Sequence, residues 1–248
     1  MEVVKNFRIL RYKEGKIKEV EDSVVVESFL NIYINGKRYL QTPYTPKSKR
    51  DLVFGILFSE GFIKKVEDVL EYKEDRSRVY ITLKEKDITF KEQIETTDCF
   101  SRRLFLDRTL HPLKIREKFN IEKILSLIKD FQNLPSLYKA TGGTHSSAIA
   151  KDKILFWSED ISRRNSIDKV IGTCFLAGES FNDKIMIVSC RIPSEVILKM
   201  VRIGIPVIVS ISSPTDRAIT IAQTFGVTLC GFARGKRMNI YSSFERLI

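Results

Sequence analysis

The chain has 248 residues, with 42 Lys and Arg against 31 Asp and Glu, for a formal charge of +11. Hydrophobic residues make up 43% and charged residues 29%, ordinary for a globular protein long enough to bury a real core. No apolar run approaches the roughly 20 residues that span a bilayer as a helix. The stretch MEVVKNFRILRYKEGK lacks the apolar core and cleavage site of a secretory signal, so the expected compartment is the cytoplasm.

The first part reads as β-rich. The run SVVVESFLNIYI (23–34) reaches Asn35-Gly36, a strong hairpin signal, and KRYLQT (37–42) returns. Pro43 and Pro46 are expected to break regular structure. Ser48 is the candidate N-cap of a helix over 49–60, closed by Gly61. A strand is expected over 78–83. Periodicity is lost from 91 to 112, which reads as a connector. A helix over 121–134 follows, with Asn120 as its cap and Pro135 beyond it.

From about Ala140 strands and helices alternate. A hairpin is expected over 146–158 about Asp152, then a helix over 165–177 and a strand over 185–189. Helix 194–203, strand 206–210, helix 215–225 and strands 228–232 and 238–242 complete the chain. Such alternation argues for a largely parallel sheet covered by helices. The expected organisation is a β-rich N-terminal subdomain over 1–98, a connector over 99–119 and an α/β domain over 120–248.

Three of those strands end in polar turns: IMIVSCRIPSE, PVIVSISSPTD and VTLCGFARGKR. Strand ends of an α/β sheet that carry hydroxyls, helix starts and a basic loop favour phosphate or a nucleotide diphosphate. Ser189, Arg191 and Ser194 mark the first, Ser210 to Thr215 the second, and Arg234, Gly235, Lys236 and Arg237 the third. The alternative for these segments is three ordinary capped turns. GGTHSS (142–147) and WSEDISRRNSIDK (157–169) could add to a pocket, or be a hydrogen-bonded loop and an ordinary helix start.

Four cysteines (Cys99, Cys174, Cys190, Cys230) are far apart, and only two histidines are present, which argues against a structural zinc site. No metal site is expected. Cys99 stands in an irregular polar stretch beside Arg102 and Arg103, whose charge favours a thiolate. Scattered positive charge argues against nucleic acid as the partner and for a phosphorylated ligand.

These segments, in this order, resemble the FdhD family, the formate dehydrogenase accessory sulfurtransferases. The similarity is carried by TPYTPKSKRDLVFGILFSEGFI, GGTHSSA, EDISRRNSIDKVIG, SCRIPSE, GIPVIVSISSPTDRAI and TLCGFARGKRMNIY. It implies a cytidine-deaminase-like α/β fold, a mixed sheet covered by helices with a smaller β-rich N-terminal part, as a homodimer.

It also implies a carrier of persulfide sulfur from a cysteine desulfurase to the molybdenum (or tungsten) bis-pterin guanine dinucleotide cofactor of formate dehydrogenase. By position Cys99 is the persulfide cysteine, and Phe232, Ala233, Arg234, Gly235, Lys236 and Arg237 form the cofactor-binding segment. His145, Asp160, Arg163, Asn165, Asp168 and Lys169 fall in the cores of two further motifs, and Ser189, Arg191 and Ser194 in another.

The chain departs from the family at three places. Arg102 replaces the second cysteine of a common CxxC loop, Ser162-Arg163-Arg164 stands for Gly-Arg-His, and Cys190 for a usual glycine. Two other readings stay open. One is a cofactor-binding chaperone that moves no sulfur. The other is a nucleotide deaminase, disfavoured because Ser146-Ser147 follows His145 where the zinc signature needs His-x-Glu.

Overall fold

The computed structural model describes residues 2–85, the backbone of 93–94, 110–114 and 117–248. It holds three sheets. β1 (Val4–Lys13) and β2 (Lys16–Val25) form a two-stranded antiparallel hairpin. A five-stranded sheet combines β3 (Ser28–Ile34), β4 (Lys37–Tyr44), β5 (Val69–Glu74), β6 (Arg78–Leu83) and β7 (Gln93–Ile94), in the order β5-β6-β3-β4-β7.

The third sheet has six strands: β8 (His145–Ala150), β9 (Ile154–Asp160), β10 (Ile185–Val188), β11 (Val207–Ser210), β12 (Thr228–Arg234) and β13 (Arg237–Ser242). Their order is β13-β12-β11-β10-β8-β9. Only the β10–β11 and β11–β12 pairings are parallel; β8–β9, β8–β10 and β12–β13 are antiparallel. The sheet is therefore mixed, as the resemblance implies, and not the largely parallel one that alternation alone suggests. Each of its ends is closed by a hairpin, which needs no crossover helix.

Helices cover both faces of this sheet: α2 (Ile121–Asn133) on one, and α4 (Arg163–Leu176), α5 (Ser194–Ile203) and α6 (Asp216–Phe225) on the other. Strand alternation accounts for the division. Ile185, Ile187, Val207 and Val209 pack with Ile124, Leu127, Ile128 and Phe131 of α2, while Met186, Val188 and Ile208 pack with Val170, Cys174, Ile197 and Ala222. Asn120 caps α2, its side chain accepting from Lys123 N. No helix among the described residues is long and apolar enough to cross a membrane.

The five-stranded sheet turns Leu30, Ile32, Ile34, Val79, Ile81 and Leu83 inward, against Leu52, Val53, Ile56 and Leu57 of α1 (Lys49–Ser59). α1 in turn lies against α4, and one buried cluster holds residues of both parts of the chain. The approach is close enough to need glycine. A Cβ on Gly55 would lie 1.8 Å from the Asp168 carbonyl oxygen, and one on Gly172 1.8 Å from that of Asp51.

Several local expectations are corrected. The long strand over 23–34 is two, because the chain leaves the hairpin at Val26 and enters β3 at Ser28. Pro43 lies within β4. Ser48 does hold the N-cap position of α1, but at φ 54 and with no side-chain cap hydrogen bond. A short helix, α3 (Ser136–Thr141), follows Pro135 directly. Its first-turn N–H groups are held by a side chain distant in sequence, since Glu159 accepts from Leu137 N at 3.0 Å and Tyr138 N at 2.8 Å.

Candidate functional site at one edge of the six-stranded sheet

The sheet topology gathers the polar turns. β10, β11 and β12 run the same way, so their carboxyl ends share an edge. β8 runs opposite to β10, with Ser147 beside Val188, which brings its first residue, His145, to that edge. His145 in turn lies opposite Asp160, the last residue of β9. Along the edge the chain thus sets out Asp160, His145, Ser189 with Arg191, Ser210 to Ser213, and the turn of the β12–β13 hairpin.

Hydrogen bonds lock neighbouring turns together. Ser146 N donates to Ser189 Oγ at 2.9 Å, and Ser189 N to the Ser146 carbonyl at 2.9 Å. Ser210 Oγ donates to the Cys190 carbonyl at 2.7 Å. Ile192 N donates to Ser213 O, and Thr215 N returns to Ile192 O, each at 3.0 Å. Phe232 N donates to Ser212 O at 2.9 Å, and Arg234 Nε to Ile211 O at 3.1 Å. A rigid floor results in which no turn can move alone.

The FARGKR segment follows β12, the last parallel strand, and forms the turn of its hairpin with β13. Arg234 pairs with Arg237 across Gly235 and Lys236, and Gly235 has φ 58. Phe232, also at positive φ (51), sits in the register shift between Gly231 and Arg234. That bulge leaves Phe232 exposed and Ala233 buried, while Arg234, Gly235, Lys236 and Arg237 all face solvent. Bulges commonly re-aim side chains beside ligand sites.

Electrostatics at the edge favour an anion. Arg191 is exposed and Arg163 partly so. Partial burial, and then the Arg163 charge, hold the His145 imidazole below the usual histidine range. Burial pushes the Cys190 thiol up to about 11, with Arg163 opposing, so Cys190 is a neutral thiol at physiological pH. Ser194 opens α5, whose N-cap is Pro193 without a side-chain hydrogen bond. Thr215 caps α6 by accepting from Ala218 N. The helix starts add partial positive charge to the guanidinium groups.

Asp160 and Asn165 take no part in the exposed surface; both are fully buried. Asp160 accepts from Thr45 N at 3.1 Å and Ser162 N at 2.8 Å, and pairs with Lys169 at 2.6 Å. Asn165 donates to the Pro43 carbonyl at 2.8 Å. These side chains bind the start of α4 to the TPYTP segment and so hold Arg163 in place. A second buried set joins Asp168 to Lys199 at 2.5 Å and to Ser59 Oγ at 2.9 Å. The roles of Thr45, Ser59 and Lys199 went unread in the sequence, since nothing in spacing links residues 31 to 115 positions apart. Cys99, with Arg102 and Arg103, lies outside the described residues.

Known proteins resemble this chain in sequence and in fold. The profile of the FdhD/NarQ family matches residues 25–248. The sulfur carrier protein FdhD of Bacillus subtilis is 35% identical over 251 residues, covering 96% of this chain and 95% of the relative. That of Saccharolobus solfataricus is 35% identical over 253 residues, covering 98% of both. The fold matches, at a TM-score of 0.82 and 23% identity over 100% of both chains, the crystal structure of a Desulfotalea psychrophila protein described as a formate dehydrogenase accessory protein. The chain belongs to the FdhD/NarQ family.

Proposed function

We propose that this protein is a sulfur carrier serving formate dehydrogenase in the cytoplasm, acting as a homodimeric sulfurtransferase. The observation that carries this reading is full-length similarity, at 35% identity, to relatives named as sulfur carrier proteins. In this reading the Cys99 thiolate attacks the outer sulfur of a cysteine desulfurase persulfide. It takes that sulfur as its own persulfide and releases the desulfurase thiolate. Arg102 and Arg103 favour the thiolate form.

The cargo is a molybdenum or tungsten bis-pterin guanine dinucleotide cofactor. Its diphosphates suit an edge bearing Arg163, Arg191, Arg234, Lys236 and Arg237 together with two helix starts. His145, neutral at physiological pH, supplies a hydrogen-bonding group without a charge. Phe232, exposed on its bulge, offers an apolar ring beside the basic turn.

The test is restoration of formate dehydrogenase activity in a host lacking its own carrier. Wild type restores activity and Cys99→Ala does not; equal restoration by both would instead identify a cofactor-binding chaperone. Copurification of the cofactor checks the pocket, and Arg234→Ala with Arg237→Ala abolishes it. Unchanged copurification removes the 232–237 turn from the site.

A further inference from the structure

The β1–β2 hairpin projects an edge that no strand among the described residues pairs with. Among the described residues its two strands pair only with each other, although a lone two-stranded hairpin is marginal in water. It nevertheless exposes Phe7 (50%), Leu10 (73%), Tyr12 (71%) and Ile17 (67%). Contact with the body is at its base, where Val25 packs beside Gly143.

The turn decides which backbone groups are open. Glu14 (φ 52) and Gly15 (φ 77) make a two-residue turn between Lys13 and Lys16, which are paired in register. In such a hairpin the flanking pair exchanges hydrogen bonds, and every second pair after it does so too. Lys16, Lys18, Val20 and Asp22 therefore turn their N–H and C=O groups toward β1. Ile17, Glu19, Glu21 and Ser23 turn theirs outward. No backbone hydrogen bond from those four to another element occurs among the described residues.

We propose that this open edge pairs antiparallel with β2 of a second copy about a two-fold axis at Val20. The inference rests on the homodimeric part of the proposed function and names its surface. A two-fold axis normal to a sheet places residue i opposite residue 40 − i in this register, which keeps corresponding faces together. Val20 then meets Val20 of the second copy. With Ile9, its partner in the hairpin, it forms an apolar row four strands wide.

Charge supports the register. On either side of Val20, Lys18 lies opposite Asp22 of the second copy, and opposite charges across strands are favourable. Asp22 already holds Arg11 at 2.7 Å, so each acid is flanked by two cations. On the other face Glu19 lies opposite Glu21 of the second copy, and Arg8, paired in register with Glu21, offsets that repulsion. A shift by one step along the edge puts Glu19 directly on the axis and removes the Val20 contact. The outward groups of Ile17, Glu19, Glu21 and Ser23 are all paired in the proposed register, giving a four-stranded sheet with an apolar row.

The test uses the full chain with Cys99→Ser, so that the loop cysteine forms no link. Val20 sits at a non-hydrogen-bonded position on the axis, where opposed Cα atoms are about 4.5 Å apart, within disulfide range. Val20→Cys is expected to give a disulfide-linked dimer on mild oxidation, and Ile17→Cys, whose opposite residue is Ser23, is not. Light scattering should find a dimer for wild type, weakened at least about tenfold by Val20→Lys. A wild-type dimer without a Val20→Cys link would overturn the edge but leave the homodimer standing. A monomer at all concentrations would overturn both, as would a monomer whose hairpin docks on a client protein instead.

Discussion

Asp160 Oδ2 and Lys169 Nζ lie 2.6 Å apart at the end of β9 and the second turn of α4, with side chains 0% and 1% exposed. Burial presses both toward their neutral forms, and their mutual attraction opposes it. Two backbone N–H groups, from Thr45 and Ser162, complete the carboxylate, and the Thr45 carbonyl accepts from Lys169 at 3.0 Å. The pair fastens the N-terminal segment to the helix that carries Arg163.

Breaking one side of that pair strands a buried charge, which costs about 3–5 kcal/mol. Asp160→Asn is expected to lower stability by that order in urea unfolding. Adding Lys169→Met, which removes the stranded ammonium, should restore part of the loss. A single variant as stable as wild type would show that the pair contributes nothing.

His145 gives a pH dependence of definite sign. Its pKa in the folded protein lies below the ordinary value of about 6.5. The unfolded chain therefore binds the proton more readily, and the stability contribution is present above about pH 6.5 and lost as pH falls below it. Titration by NMR should place His145 below the unfolded value. The stability difference between wild type and His145→Gln should change between about pH 6.5 and the lower folded value. A His145 midpoint above 6.5 would remove the basis for a neutral imidazole at the edge.

The α1–α4 crossing leaves no room for a methyl group. Gly55→Ala would drive its Cβ into the Asp168 backbone at 1.8 Å from oxygen and 2.6 Å from carbon. Neither atom belongs to a flexible side chain, so the helices must separate. The cost is expected at or above the roughly 1–3 kcal/mol typical of overpacking. Thermal unfolding checks it, with Gly172→Ala, the reciprocal contact, behaving alike.

Three cysteines should be inert in the native protein. Cys174, Cys190 and Cys230 are buried, and desolvation holds their thiols up at about 12, about 11 and about 12. Alkylation at neutral pH followed by mass spectrometry should find all three unmodified until urea is added. Native labelling of Cys190 would instead make it a candidate substitute for the second loop cysteine that Arg102 replaces.

What the sequence disclosed follows the range of the forces involved. Helix 194–203 and strand 78–83 coincide with α5 and β6 because local periodicity and a clear stop decide them. The polar turns were legible for the same reason, and the sheet order then placed them on one edge. The mixed sheet implied by the resemblance is the one found, whereas alternation alone suggested a largely parallel one, since β8 reaches its place between β9 and β10 through contacts far along the chain. The β1–β2 hairpin was missed because both its faces mix charged with apolar residues, so neither strand alternates cleanly. Asp160 and Asn165, read as pocket residues from their motif, proved to be buried ties.

The central claim is that Cys99 carries sulfur. Its most direct test is intact mass after incubation with a cysteine desulfurase and cysteine, on wild type and Cys99→Ala. The account predicts one added, reductant-labile sulfur on wild type and none on the variant. No addition to wild type, or equal addition to both proteins, would contradict it.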